Sequence, residues 1–434
     1  MSSPLVAVPL ERWRDPASVS AAGPAGDEHS FWLDAGPDAT AGWSWVGTGV
    51  PASAQEVRAV ECVIEDGDPW PAGRFRGGWV GWFGYEPAAA KADAPVASGD
   101  SEAPSDLWLR VDRFVAFDHA TRRAWAVAPA ADAVRFAREV ELVADAPPPS
   151  VAPAPAGIAL ARHRPSQYAR LIERCRQFIR EGDAYQLCLT TRFSVTGSID
   201  PDAAFRRLRQ MTPAHHGGLI RSGGVALASA SPERFLEVAA GTVQTRPIKG
   251  TRPRGTDESG DRRLAEELRA SEKERAENVM IVDLMRNDLS RVCIPGTVGV
   301  DGLLEVESYA AVHQLVSTVS GRLRPGTTVG GLLDAAFPAG SMTGAPKLSA
   351  MTILHELEGE PRGVFAGCFG WVGQDGALDL AMIIRSIVTH PGGAYVGAGG
   401  GITWRSDAGE EVAEVGLKAR GPLAAIGAAL PPGW

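Results

Sequence analysis

Five prolines crowd into residues 144–157, ADAPPPSVAPAPAG, three of them consecutive. Proline lacks an amide hydrogen and fixes φ, so no helix interior or central strand can run through this stretch. It reads as a stiff linker or a surface crossing. The 434-residue chain is thereby divided into an N-terminal part of about 145 residues and a C-terminal part of about 275. A second stretch, residues 86–106, EPAAAKADAPVASGDSEAPSD, has little to bury and reads as an exposed loop.

The N-terminal part has the pattern of short strands. Phe31–Leu33, Gly42–Val46 and Gly78–Gly84 are aromatic or β-branched runs bounded by Gly or Pro, and Trp108–Phe117 alternates before an Asp118-His119 turn. The C-terminal part mixes helices with strands. Tyr168, Leu171, Ile172, Cys175, Phe178 and Ile179 recur at helical spacing, which predicts a helix over Pro165–Glu181 with Ser166 as N-cap and Gly182 as its stop. Glu258–Leu289 is one long charged amphipathic stretch. Val225–Ala230, Gly367–Val372 and Leu378–Val388 read as strands. Strands and helices do not alternate strictly, which favours an α+β fold over a doubly wound one.

Composition excludes several classes. The net charge of −9 disfavours non-specific attraction to nucleic acid or anionic lipid. Five cysteines, odd in number and without C-x-x-C spacing, argue against a disulfide framework or a structural zinc site. The N-terminus has no basic and apolar leader pattern, and no run of about 18 apolar residues occurs, so a cytoplasmic protein is expected.

Three features could carry chemistry. Lys249 stands in RPIKGTRPRG with Arg246, Arg252 and Arg254 close in sequence; neighbouring cations and desolvation favour the neutral, nucleophilic amine. A solvated lysine in a Pro/Gly loop is the other reading. Glu274 and Glu277, and again Glu411 and Glu414, are spaced i,i+3, so each pair shares a helix face. Two such pairs facing each other could bind a hard cation such as Mg2+ through oxygen; solvated faces, with Lys273–Glu277 as an ordinary i,i+4 pair, are the alternative. The glycine run GAGGGIT, 397–403, lets backbone amides approach an anion, or is simply a turn. His313 lies in a mostly apolar stretch, Glu233 where a strand gives way to a turn, and Cys368 reads as a small residue packed in a strand.

Taken in order, GDAYQL, ASPERF, RPIKGTRPRG, ENVMIVDLMRNDLSRV, VHQLVSTVSG, FPAGSMTGAPK, DLAMIIRS, VGAGGGIT and EEVAEVGLKAR resemble the chorismate-utilising enzymes, which include anthranilate, aminodeoxychorismate, isochorismate and salicylate synthases. The resemblance is dense over about residues 160–425 and weaker at GGWVGWFGYE, 77–86. It implies large antiparallel β-sheets packed together and flanked by helices. It also implies an N-terminal region over 1–145, a linker over 146–160 and the chorismate-binding region over 161–425.

Carried over by motif, Glu277 and Glu414, with Glu274 and Glu411 as partners, match the acidic residues around Mg2+. Gly399 and Gly400 match backbone donors to a substrate carboxylate, and Arg385 matches the partner of the enolpyruvyl carboxylate. Lys418, Thr251, Ser341 and His313 match further active-site positions; Ser341 stands for a common threonine and Trp371 for a common tyrosine. Lys249 separates this chain from anthranilate synthases, which typically have alanine there, and Gln186 from the water-adding enzymes, which typically carry a base lysine. Trp32-Leu33-Asp34-Ala35 replaces the Leu-Leu-Glu-Ser segment, which argues against tryptophan feedback.

The implied reaction is a double displacement: Lys249 attacks ring carbon 2 of chorismate, Glu233 protonates the departing 4-hydroxyl, and ammonia then attacks carbon 4 and expels the lysine. Ammonia is expected from a separate glutamine amidotransferase subunit. Anthranilate formation and a non-catalytic regulatory role are the competing expectations.

Overall fold

The computed structural model describes residues 4–62, 70–98, 102–144, 157–309 and 312–434. Its architecture follows from one long strand, Asp106–Asp118. On one side it pairs with Trp43–Ala52; on the other its first half pairs with Gly78–Phe83 and its second half with Arg123–Pro129. The hydrogen-bonded network therefore branches here. From Trp43–Ala52 the first branch runs through Ser30–Asp34, His216–Ser222, Val225–Ser231, Ser386–His390, Gly393–Ile402 and Gln186–Thr196. From Gly78–Phe83 the second runs through Cys368–Gly373, Leu378–Met382, Arg234–Ala239, Thr242–Thr245 and Val312–Arg322, which also carries Ile248–Pro253 and Gly299–Ser308. All these pairings are antiparallel, giving the α+β class expected from the sequence.

The two branches pack face to face, and side-chain alternation explains how. Along Val225–Ser231 every residue is buried, with Leu227 directed to the core between the sheets and Ala226 and Ala228 to the outer core. The inner core joins Phe31, Ile220, Leu227 and Tyr395 of the first branch to Val80, Trp82, Phe369 and Trp371 of the second. Contact is close: a methyl group on Gly218 would lie 2.9 Å from the Phe369 ring. Helices Pro165–Glu181, Pro201–Met211 and Ala408–Ala425 cover the outer face of the first branch through Ile172, Phe205 and Val415. Glu272–Ser290 and Val329–Ala336 cover the second through Ile281, Met285 and Leu332.

Local outcomes differ from expectation at four places. Helix Pro165–Glu181 has both predicted bounds and ends on Gly182 at φ 90°, but Arg164, not Ser166, is its N-cap, because Pro165 fits the first helical position. Glu258–Leu289 is two helices, Glu258–Ala270 and Glu272–Ser290; Ser271 takes an extended backbone and caps the second by accepting from the Glu274 amide. Leu378–Val388 is two strands, broken near Arg385, which sits at φ 54°. The 86–106 loop opens with a helix, Tyr85–Lys91, whose alanines favour it and whose Tyr85 and Ala89 are buried. Residues 99–101 of that loop and 146–156 of the proline-rich linker lie outside the described residues. No described helix is long and apolar enough to cross a membrane, and all five cysteines are free and buried.

Candidate active site

One helix from each outer layer reaches the same cleft with its N-terminal half, Glu272–Ser290 from one side and Ala408–Ala425 from the other. Asp407 caps the second helix, accepting from the Gly409 and Glu410 amides. Each helix presents its i,i+3 carboxylates to the cleft, and helix N-termini favour negative charge. Between them run the glycine strand Gly393–Ile402 and the strand Ile248–Pro253 with Lys249. Past Tyr395 the glycine strand pairs only with Gln186–Thr196, because the chain leaves its other neighbour at the Arg385 kink. One edge of Gly397–Ile402 is thus without a strand partner among the described residues, and its amides are available to an anion.

Lys249 is half-buried and makes no hydrogen bond or ion pair with the described residues. The three arginines expected to press on it are all engaged: Arg246 with Glu307, Arg252 with Glu274 and Arg254 with Asp261. The expected cationic surroundings are therefore absent. The charges that do act with Lys249 are the carboxylates of Glu233, Glu277 and Glu414. Glu233 is buried, and burial pushes its carboxyl up, while Lys249, a hydrogen bond with Ser341 and Lys418 pull the other way. Burial thus disfavours its ionised form, and Lys249 acts on it electrostatically.

The four carboxylates line one wall without closing a single coordination shell. Glu274 pairs with Arg252 at 3.5 Å; Glu411 accepts from Ser406 at 2.8 Å and from Lys273 at 3.3 Å; Glu414 pairs with Lys418 at 2.6 Å. Among the described residues no three His, Cys, Asp or Glu side chains are arranged around one point. Lys273 bridges the two helices, rather than pairing with Glu277 in its own helix. Glu277 is the exception: it is buried and its Oε1 has no hydrogen-bond partner among the described residues. Burial first, with Glu274 and Glu411 adding to it, raises its carboxyl to about 6. A buried carboxylate oxygen with nothing to bind, beside two further carboxylates, fits a hard cation.

This gives a signed prediction. The raised value penalises the ionised form in the fold. The penalty is absent below about pH 4.5, grows through pH 6 and is complete above it, worth about 2 kcal/mol. Glu277→Gln should therefore stabilise the metal-free chain by about that much at pH 8 and not at pH 4. Urea unfolding at the two pH values checks it; equal midpoints for variant and wild type at pH 8 would refute it.

The remaining residues are placed as follows. Ser341 sits in the turn Gly340–Met342 beside Glu233. Arg385 donates weakly to the Lys418 carbonyl at 3.5 Å, and the Lys418 amine donates to the Gly399 carbonyl at 2.8 Å. Gly400 lies against Glu411: a methyl there would sit 3.1 Å from Oε2. Thr251 is exposed on its strand. His313 stands apart. It is buried, with Nδ1 2.8 Å from Ser308 Oγ and Nε2 2.9 Å from Asp261, so both nitrogens are occupied away from Lys249. Lys273, Ser406 and Gly401 belong to the site but were not singled out by sequence; Gly401 lay within the flagged glycine run.

Behind the cleft a wholly buried arginine ties the walls together. Arg362 donates to Glu358 through Nε and Nη2 at 2.8 and 2.7 Å, to the Cys188 carbonyl at 2.9 Å and to the Met342 carbonyl at 2.5 Å, and it stacks 4.5 Å from the Tyr85 ring centre. A separate cavity of about 570 Å3 lies on the other side of the Ile248 strand, lined by Trp43, Trp45, Arg234, Tyr309 and Trp371. Trp371, expected as a tyrosine position, fills space against Trp45 and Phe75 there. Asp34 is neutralised by Arg209 at 2.9 Å.

The chain is 43% identical over 368 residues to an aminodeoxychorismate synthase of Streptomyces pristinaespiralis, covering 81% of this chain and 51% of that protein. It is 42% identical over 378 residues to anthranilate synthase component 1 of Streptomyces coelicolor, covering 81% and 73%. The crystal structure of anthranilate synthase component I from Streptococcus pneumoniae superposes with a TM-score of 0.72 at 31% identity, covering 82% of each chain. The chain spans about half the length of the Streptomyces aminodeoxychorismate synthases it matches. A model for chorismate binding enzymes matches residues 30–424, and the chain belongs to that family.

Proposed function

We propose that this chain converts chorismate and ammonia to 4-amino-4-deoxychorismate through a covalent bond to Lys249. The observation that carries the reading is a lysine without a hydrogen-bond partner among the described residues, interacting electrostatically with a buried carboxyl, Glu233, whose ionised form burial disfavours. In the first step Lys249 gives a proton to Glu233, its neutral amine bonds to ring carbon 2, the ring double bonds shift, and the carbon 4–oxygen bond breaks. The oxygen leaves as water with the Glu233 proton, and the proton lost from the lysine nitrogen restores Glu233. In the second step ammonia bonds to carbon 4, the double bonds shift back, and the carbon 2–lysine bond breaks, the lysine nitrogen taking up a proton as the ammonia nitrogen gives one up. Two modest substitutions replace one difficult one.

The chain's own groups divide the binding. Arg385 suits a carboxylate fork, and the open edge of the glycine strand at Gly399 suits a second carboxylate, whereas Gly400, one residue on, turns its amide to the Gln186–Thr196 strand. Glu274, Glu277, Glu411 and Glu414 would hold Mg2+, which when bound supplies positive charge to the ring carboxylate. His313 positions the strand edge through Asp261. A glutamine amidotransferase subunit would supply the ammonia, and free ammonium should replace it in vitro.

The similarity to anthranilate synthases keeps one rival in view, amination at carbon 2 with loss of pyruvate. Purified protein incubated with chorismate, Mg2+ and ammonium decides between them. An aminated product retaining its enolpyruvyl group, with no pyruvate released, is expected. Anthranilate with equimolar pyruvate would overturn the assignment.

A further inference from the structure

Gln186 opens the strand Gln186–Thr196 and is wholly buried, yet neither its Oε1 nor its Nε2 has a hydrogen-bond partner among the described residues. An amide left unbonded at both ends inside a protein is costly and rare, so such a group calls for a use. Its backbone cannot shift to relieve the cost. Gln186 pairs with Ala345, and its carbonyl lies so close to Gly344 that a methyl group there would sit 2.1 Å away. The side chain is aimed at Gly401: a methyl on that glycine would stand 2.5 Å from Gln186 Nε2 and 3.6 Å from Lys249 Nζ. The unbonded amide and the unbonded lysine thus converge on one spot, which the absence of a side chain at Gly401 keeps open.

We propose that Gln186 is the positioning residue for Lys249: with its amide turned over, an exchange of Nε2 and Oε1 that breaks no hydrogen bond, Oε1 accepts a hydrogen bond from the lysine nitrogen and the nitrogen lone pair is aimed at ring carbon 2. The proposal rests on Lys249 being the attacking group. An amide is suited to the task because it accepts a hydrogen bond without carrying charge. A carboxylate in its place would favour the ammonium form, which has no lone pair to offer. The role belongs to the first step, formation of the carbon 2–lysine bond with loss of water from carbon 4. It has no part in the discharge of that bond by ammonia.

The test separates the two steps. The full chain is mixed with chorismate and Mg2+ without ammonium, and the covalent adduct on Lys249 is followed by rapid quench and intact mass; ammonium is then added and its discharge is timed. In Gln186→Met the adduct should form on the order of 100-fold more slowly, the typical cost of a misaimed reacting group. Chorismate affinity and the ammonium-dependent discharge should stay near wild type. In Gln186→Glu the acid limb of adduct formation should move to higher pH, with the rate recovering as pH rises. Unchanged adduct formation with slowed discharge would overturn the proposal and place Gln186 at the incoming nitrogen. Loss of chorismate binding in step with the rate would also overturn it, marking the residue as structural. A wild-type chain that aminates chorismate without any adduct would refute the Lys249 reading itself, an outcome distinct from failure in the Gln186 variants alone.

Discussion

If the proposed reaction holds, Lys249→Ala should lower amination at ring carbon 4 on the order of 10^4-fold or more, the scale seen when a covalent nucleophile is removed, with chorismate and Mg2+ binding retained. The geometry supports so large an effect because nothing else near the cleft can replace the lysine. Lys418 is committed to Glu414 and the Gly399 carbonyl, and Lys273 to Glu411. Lys249 itself makes no bond that its removal would break, so the fold should be unaffected. Lys249→Arg is the informative companion. It keeps the positive charge beside Glu233 and Glu277 but has no neutral form at accessible pH, and it should be as inactive as alanine. Turnover with ammonium, read beside chorismate affinity from calorimetry, checks both variants. A loss smaller than tenfold in Lys249→Ala would show that the lysine serves only as a charge.

The second large effect concerns stability. Glu358→Ala should destabilise the fold by about 3–5 kcal/mol, because it leaves the Arg362 guanidinium charged in a site from which water is excluded. Glu358 also accepts from the Thr190 amide and hydroxyl, both at 2.9 Å, so the alanine orphans a second pair of donors. Replacing both partners, Glu358→Leu with Arg362→Met, should recover a large part of the loss, since no buried charge then remains. Urea unfolding of the single and double variants measures this. A double variant no more stable than Glu358→Ala would show that the fold depends on the ion pair rather than on avoiding a lone charge. Activity should fall in both: Arg362 holds the carbonyl of Met342, next to Ser341, and that of Cys188, two residues from Gln186.

The helix Pro165–Glu181 and several strands were legible in the sequence because those signals are local. The apolar spacing of Tyr168, Ile172 and Cys175 marks a buried stripe wherever the helix packs, and Gly182 ends it through its own φ. The glycine run at 397–401 was visible for the same reason. Other features depend on partners far away in the chain. Arg362 and Glu358 look like surface residues until Cys188, Met342 and Tyr85 surround them. The arginines around Lys249 look like free cations until Glu274, Asp261 and Glu307 neutralise them. The Arg385 kink is hidden because the apolar pattern of Leu378–Val388 continues across it. Reading the site as a set was possible from the ordered motifs; the Lys273–Glu411 bridge and the unbonded Gln186 required the fold.

The branching at Asp106–Asp118 has a consequence for how the protein is made. During synthesis Gly78–Phe83 soon gains one neighbour, Asp106–Asp118, but its other partner, Cys368–Gly373, follows about 290 residues after it. At roughly 5–20 residues per second that is a wait of about 15–60 s with an apolar, aromatic strand edge uncovered. Ser30–Asp34 waits similarly for His216–Ser222. Expression yield in a heterologous host should accordingly be governed by chaperone supply and growth temperature during translation more than by the stability of the finished fold.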